Sequence, residues 1–143
     1  MVRTHDARPR RLAIPKLKEE LDRVFSQYIR LRDANDNGFC KCVTCGTMWE
    51  WRVIHNGHYI PREHTATRYD TRNCSPQCPI CNINLRGNLE KYKRAIIRRY
   101  GVKVLEELEA GKRSVEKWTV ADYREKIAFY QAEVKRLKKE KGL

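Results

Sequence analysis

Two short cysteine pairs, Cys42-Val-Thr-Cys45 and Cys78-Pro-Ile-Cys81, constrain this chain more than anything else in it. A Cys-x-x-Cys turn presents two thiolates on one side, and two such turns about thirty residues apart can close a tetrahedral zinc site. The segment between them, with His55-Asn56-Gly57-His58-Tyr59, is then held as a stiff loop. Zinc binding would add on the order of 10 kcal/mol of folding free energy. The competing reading keeps the four as buried or redox-sensing thiols. Cys40 and Cys74 are left over. Either could replace a neighbour as ligand, but Cys42 gives the cleaner spacing with Cys45, and burial is the plainer fate of the other two.

A length of 143 residues fits one domain. Thirty-one Lys and Arg stand against eighteen Asp and Glu, a net charge of +13. This balance favours a polyanion partner, nucleic acid first; the alternative is a solvated basic surface. No apolar run approaches the ~18 residues of a membrane span, and Met1 to Arg11 does not read as a signal peptide. The expected location is the cytoplasm, a bacterial host's if the chain is phage-encoded. In that reducing setting paired cysteines read as metal ligands.

Residues 1–15 read as a flexible basic arm bounded by Pro9 and Pro15, and 16–143 as a single domain. Its zinc-binding core spans about 40–88 and its helical region 89–143. Lys16 to Arg32 is periodic with Leu17, Leu21, Val24, Phe25, Tyr28 and Leu31, as an amphipathic helix requires. Trp49 to Tyr59 suits a strand or hairpin, and Arg68 to Arg72 a short return strand. Pro79 suits a first helical turn. Gly87-Asn88 breaks that helix, Leu89–Tyr100 is the next, Gly101 ends it, and Val102–Ala110 follows. Thr119 and Asp122 form a capping box, with Trp118 and Tyr123 as a staple, before a last helix to about Lys139. That helix carries Tyr123, Ile127, Tyr130, Val134 and Leu137, a stripe that either packs on its own domain or forms a homodimer seam.

Phosphodiester hydrolysis needs an activated water and a cation on the phosphate. Histidine activates water well because its ordinary pKa is ~6.5. His58 sits at the expected end of a strand, His55 three residues before it, and Asn82 directly after the last cysteine. Asn73 could brace the loop through side-chain hydrogen bonds. The bland readings are structural histidines, a helix cap at Asn82 and a turn at Asn73. His64 and His5 read as solvated. Lys91, Lys93, Arg94, Arg98 and Arg99 crowd one helix, with Glu90 its only acid. They read as DNA backbone contacts or as a solvated face.

The order Cys-x-x-Cys, Gly57-His58-Tyr59, Arg68, Arg72-Asn73, Gln77-Cys78-x-x-Cys81-Asn82, Gly87-Asn88-Leu89, Tyr92 and Trp118-Thr119 resembles the HNH, or ββα-metal (His-Me finger), nucleases. Within them it is most similar to the NinG/Rap family of phage recombination endonucleases, over roughly residues 17–138. The resemblance implies an α+β fold with a ββα-metal core stapled by a four-cysteine zinc site and flanked by helices. It implies an Mg²⁺- or Mn²⁺-dependent endonuclease acting on branched DNA such as Holliday junctions and D-loops, leaving a 5′-phosphate and a 3′-hydroxyl. His58 would be the general base, supported by Asn73, and Asn82 a ligand of the catalytic metal. The wider group carries Asp directly before its histidine; Gly57 stands there, and His55 is taken as the substitute ligand. Arg68 and Arg72 would join the helix cations on DNA. Two rival functions are a non-catalytic zinc module that binds nucleic acid and an HNH nuclease that nicks ordinary duplex.

Overall fold

The computed structural model describes the backbone of residues 8–143 and the side chains from residue 13 onward. Two long helices, α1 (Arg8–Asp33) and α5 (Val120–Lys141), pack along each other. Each repeats apolar residues at three- and four-residue steps, so each has one stripe to remove from water. Leu21, Val24, Phe25 and Ile29 of α1 share a core with Ile127, Tyr130, Val134 and Leu137 of α5. Phe25 meets Tyr130 edge-to-face, ring centroids 5.0 Å apart. Each large side chain buried here contributes ~1.5–3 kcal/mol. The α5 stripe is therefore buried within its own chain and is not a free dimer seam.

The helix α1 also corrects the expected arm, because residues 8–15 belong to it and Pro15 lies inside it. An interior proline forfeits a backbone hydrogen bond and costs about 3 kcal/mol. Ile14 and Leu17, packed against the core on either side, offset that cost. Residues 1–7 of the arm, His5 among them, lie outside the described residues. At its other end α1 is capped from a distance. The Lys141 ammonium donates to the carbonyls of Leu31, Arg32 and Ala34 at 2.6, 3.1 and 2.6 Å. A cation is well placed on the unpaired carbonyls of a helix C-terminus.

Between these helices lie two small antiparallel sheets. The first pairs β1 (Phe39–Lys41) with β2 (Met48–Glu50). The second pairs β3 (His55–His58) with β4 (Cys74–Gln77), setting Gly57 opposite Ser75 and His58 opposite Cys74. The expected hairpin over 49–59 is thus divided between two sheets. The return strand is β4, not 68–72, and Thr65–Arg68 is a short helix, α2. Asn73 explains the shift. Its buried amide accepts from Ile60 N (2.8 Å) and donates to the carbonyls of Ile60 (3.0 Å) and Thr67 (3.2 Å). The loop is thereby folded on itself, and pairing starts only beyond it.

A π-helical turn, Ile80–Asn84, follows β4. Arg86, Gly87 and Asn88 then take positive φ (50°, 91° and 47°) before α3 (Leu89–Tyr100). Gly101, at φ 93°, separates α3 from α4 (Val102–Ala110). These two helices close a second core of Tyr92, Ile96, Leu105 and Leu108 over Ile60. At α5 the capping box is present: Asp122 N donates to Thr119 Oγ1 (3.2 Å) and Thr119 N to Asp122 Oδ2 (2.8 Å). Trp118 and Tyr123 meet at 5.4 Å as the staple. The fold is mixed α+β, mostly helical with small antiparallel sheets, and no described helix is long and apolar enough to cross a membrane.

Candidate functional site

The cysteine pairs come together as their spacing requires. The sulfurs of Cys42, Cys45, Cys78 and Cys81 all lie within 4.8 Å of one another. Cys45 and Cys78 Sγ are 3.7 Å apart. Tetrahedral thiolates at ~2.3 Å from zinc are separated by ~3.8 Å, so the four could hold a structural zinc ion. Gly46, at φ 78°, lets the first turn reverse. Val43 N donates to Pro76 O (2.9 Å), which ties this turn to β4. The sulfurs also accept backbone donors: Cys78 N lies 3.3 Å from Cys42 Sγ, and Cys81 N 3.4 Å from Cys78 Sγ. Burial opposes ionisation of Cys42, but the Cys78 N–H and the Thr44 hydroxyl outweigh it and bring this thiol down to about 6. Burial and its neighbouring thiols hold Cys78 on the protonated side. As thiolates, four sulfurs this close could share one cation. Cys40 and Cys74 stay outside the cluster as buried thiols, donating to the carbonyls of Arg30 (3.1 Å) and Arg68 (3.8 Å).

Beside this cluster a cleft of about 800 Å³ opens between α1, β3 and the π-helical turn. It brings His55 and His58, both on β3, together with Asn82, twenty-seven residues beyond His55. His58 Nε2 lies 2.9 Å from the carbonyl oxygen of Arg68. A carbonyl can only accept, so Nε2 carries the proton and Nδ1 keeps a lone pair. Burial pushes this imidazole down to about 4, against the pull of the Arg68 carbonyl. His58 is therefore a neutral base at physiological pH. Asn82 is positioned by its own N–H donating to Cys78 O (2.9 Å), and its amide Nδ2 lies 3.1 Å from His55 Nδ1. With the amide turned over, Oδ1 takes that place. An imidazole nitrogen and an amide oxygen 3.1 Å apart fit two adjacent ligands of an octahedral cation, for which ~2.1 Å bonds give an edge of ~3.0 Å.

Gly57 has a packing reason. A Cβ there would land 2.7 Å from Gln77 Cβ, and the Gln77 side chain crosses this point to donate to Gly87 O (2.7 Å). The carbonyl of Gly57 accepts from the buried Tyr92 hydroxyl at 2.7 Å. Asn73 is fully buried and bonded to backbone, away from the cleft lining. Arg68 is held by Asp22 and the Arg62 carbonyl, and Arg72 by Asp70 and Glu107. These two guanidinium groups pair with intramolecular carboxylates. Arg99 is paired with Asp33. Lys91, Lys93, Arg94 and Arg98 are exposed on α3 with no ion-pair partner among the described residues. His64 lies 3.5 Å from Glu63, outside the cleft.

Sequence reasoning passed over four features of the cleft. The cations Arg30, Arg62 and Arg86 line it and count as one feature, and Asp22 is its only acid among the described residues. Asn56, also in the lining, has a buried Oδ1 with no hydrogen-bond partner among the described residues. None belongs to a spacing pattern. A run of three positive-φ residues at 86–88 is visible in sequence only as Gly87-Asn88.

The pattern of the family described as "Bacteriophage Lambda NinG protein" matches residues 3–140. The protein ninG of Escherichia phage 933W is 31% identical over 123 residues, covering 84% of this chain and 57% of that protein. Those of Salmonella phage P22 and Escherichia phage lambda are 30% and 29% identical over 84% of this chain, covering 57% and 56% of theirs. The chain thus spans little more than half the length of these relatives. No solved structure matches it. A match that runs across both cysteine pairs, the cleft and the long helices places this chain in the NinG family of bacteriophage lambda.

Proposed function

We propose that the cleft is the active site of a metal-dependent DNA endonuclease, and that β3, β4 and the π-helical turn form a ββα-metal core with zinc as its staple. The observation that carries this reading is the protonation of His58. Its Nε2–H faces the Arg68 carbonyl, leaving a neutral, basic Nδ1 in a cleft that also gathers His55 and Asn82. His55 and Asn82 would hold Mg²⁺ or Mn²⁺, which when bound would offset negative charge on the scissile phosphate and the departing oxygen.

His58 Nδ1 takes a proton from water as the water oxygen bonds to phosphorus. The bond from phosphorus to the 3′ oxygen breaks, and that oxygen takes a proton from solvent. The products are a 5′-phosphate and a 3′-hydroxyl. Asn73 and Tyr92 are positioning residues: they fix the backbone on either side of His58 and touch no substrate. Arg86 and Arg62 face the phosphates at the cleft, and Lys91, Lys93, Arg94 and Arg98 hold flanking backbone without reading sequence. The substrate is branched DNA, a recombination intermediate of the phage, met in the host cytoplasm.

The test compares a four-way junction with its matched linear duplex, incubated with zinc-loaded protein in Mg²⁺, in Mn²⁺ or with no divalent metal added. Metal-dependent cutting of the junction in preference to the duplex is the expected result, and His55→Ala with Asn82→Ala should raise the metal concentration required by about tenfold or more. Equal cutting of both substrates would leave an ordinary HNH nuclease. Binding without cutting in any metal would leave a non-catalytic zinc module.

A further inference from the structure

The segment that supplies Asn82 and Arg86 to the cleft also carries apolar side chains that the fold does not use. Ile80, Ile83, Leu85 and Leu89 are each between 46% and 63% exposed. They fall within ten residues of chain, whereas Phe39, Met48, Val102, Val115 and Phe129 are exposed one at a time along it. Leu89 lines the cleft itself, as does the exposed Val53 from the turn before β3. Isolated surface apolar groups need no explanation, but four within ten residues, in a segment that lines a polar cleft, do.

This lip is rigid. Leu85 N donates to Ile80 O (2.9 Å), closing one π-turn, and Arg86 N donates to Ile83 O (3.1 Å). Gly87 N donates to Cys81 O (2.9 Å), its carbonyl accepts from Gln77 Nε2 (2.7 Å), and Asn88 Nδ2 reaches Cys81 Sγ (3.7 Å). Arg86 and Asn88 are held in left-handed backbone, which costs free energy for residues with a side chain. The lip is therefore fastened to the zinc cluster at its most constrained point.

What covers it is decided by charge. Arg62 and Arg86 line the same cleft, and Asp22, its only acid among the described residues, is already paired with Arg68. A second copy of a chain with net charge +13 would bring cation against cation. A polyanion with exposed apolar faces fits both features, and unstacked DNA bases have that chemistry. Apolar side chains of this size wedge between base steps in other DNA-bending proteins.

We propose that Ile83, Leu85 and Leu89 form a wedge that occupies the branch point of a DNA junction and stacks against its unpaired or unstacked bases. The proposal rests on the nuclease reading of the cleft and supplies its branch selectivity: Arg86 takes the phosphate while the wedge rewards only DNA whose stack is already open. An intact duplex must be unstacked first, at a cost of on the order of a few kcal/mol per step.

The test is a binding experiment in Ca²⁺ with no chelator, so that it does not depend on cleavage and the zinc stays in place. A four-way junction and its linear duplex carry 2-aminopurine at the branch position. The full chain, zinc-loaded, should raise fluorescence at the junction by opening the stack. Ile83→Ser with Leu85→Ser should abolish that rise and weaken junction binding about tenfold, leaving duplex binding within about twofold. Both sites are exposed, so the fold should survive, and thermal unfolding of the variant checks it. Phe129→Ser on α5 serves as the control for loss of an exposed apolar group and should change neither reading. An unchanged junction affinity and fluorescence in the double variant would overturn the wedge. So would an equal loss on junction and duplex, or a wild-type dimer in sedimentation that the variant dissociates. Wild-type protein that binds junction no better than duplex would also end the wedge while leaving a duplex-nicking nuclease intact.

Discussion

Replacing Asn73 by alanine should cost this protein about 3–5 kcal/mol of stability without removing any group that touches substrate. The sum follows from its three bonds. Ile60 N–H is buried and has Asn73 Oδ1 as its acceptor (2.8 Å); an orphaned buried donor costs about 1–3 kcal/mol. The Ile60 carbonyl loses a donor at 3.0 Å for about 1 kcal/mol more. The Thr67 carbonyl loses less, because Asp70 N still donates to it at 3.1 Å. A small cavity adds about 1 kcal/mol. Against a total of about 5–15 kcal/mol, this is a large fraction.

Asn73→Asp sharpens the test. The carboxylate keeps the acceptor for Ile60 N–H but faces two carbonyls that had been given donors. Its neutral form, with one O–H, is favoured in the fold, so its folded pKa lies above the ordinary ~3.9. Stability is then fully present below the unfolded pKa and lost as pH rises through the folded one. Urea unfolding of zinc-loaded protein should show Asn73→Asp losing more at about pH 8 than at about pH 6, with the Asn73→Ala deficit the same at both. Below its unfolding temperature, Asn73→Ala should still cleave. An alanine variant as stable as wild type but inactive would refute the bracing account and make Asn73 a catalytic residue.

Three further outcomes follow from the same geometry. Zinc removal by a chelator should abolish the cooperative thermal transition, since a structural site of this type supplies about 10–16 kcal/mol near neutral pH; metal analysis should find one zinc per chain, and a transition indifferent to the chelator would contradict it. Lys141→Met should lower stability by about 1.5–3 kcal/mol, because three carbonyls at the end of α1 lose a charged donor, and chemical denaturation measures this directly. Burial holds the His58 imidazole down to about 4, so its base form is present above that value and lost only below it. The pH profile of metal-saturated cleavage should therefore show no acid limb near the ordinary histidine value of about 6.5.

What could be read from the sequence was local. The cysteine pairs, the break at Gly101, the capping box at Thr119 and the α5 stripe are each written within one or two turns of chain, and each stands where its spacing put it. Strand pairing was not, because it is settled by contacts across the sequence. Nothing local says that Met48–Glu50 pairs backwards with Phe39–Lys41 while His55–His58 pairs forwards. Asn73 moved the return strand by bonding thirteen residues back to Ile60. Pro15 read as a boundary because its cost is local and the packing that offsets it is not. Charge signs were legible and their partners were not: Arg68 finds Asp22 forty-six residues away, and Arg86 reaches the cleft only through three left-handed residues.

Single-turnover cleavage by His58→Ala tests most directly whether His58 is the base of a phosphodiesterase. The substrate is a four-way junction in Mn²⁺, with zinc content, thermal unfolding and junction affinity measured on the same preparation. The account predicts a variant that keeps zinc, fold and affinity while losing at least ~10²-fold in cleavage rate. Cleavage at the wild-type rate would contradict it, as would loss of zinc and fold, which would make His58 a structural residue.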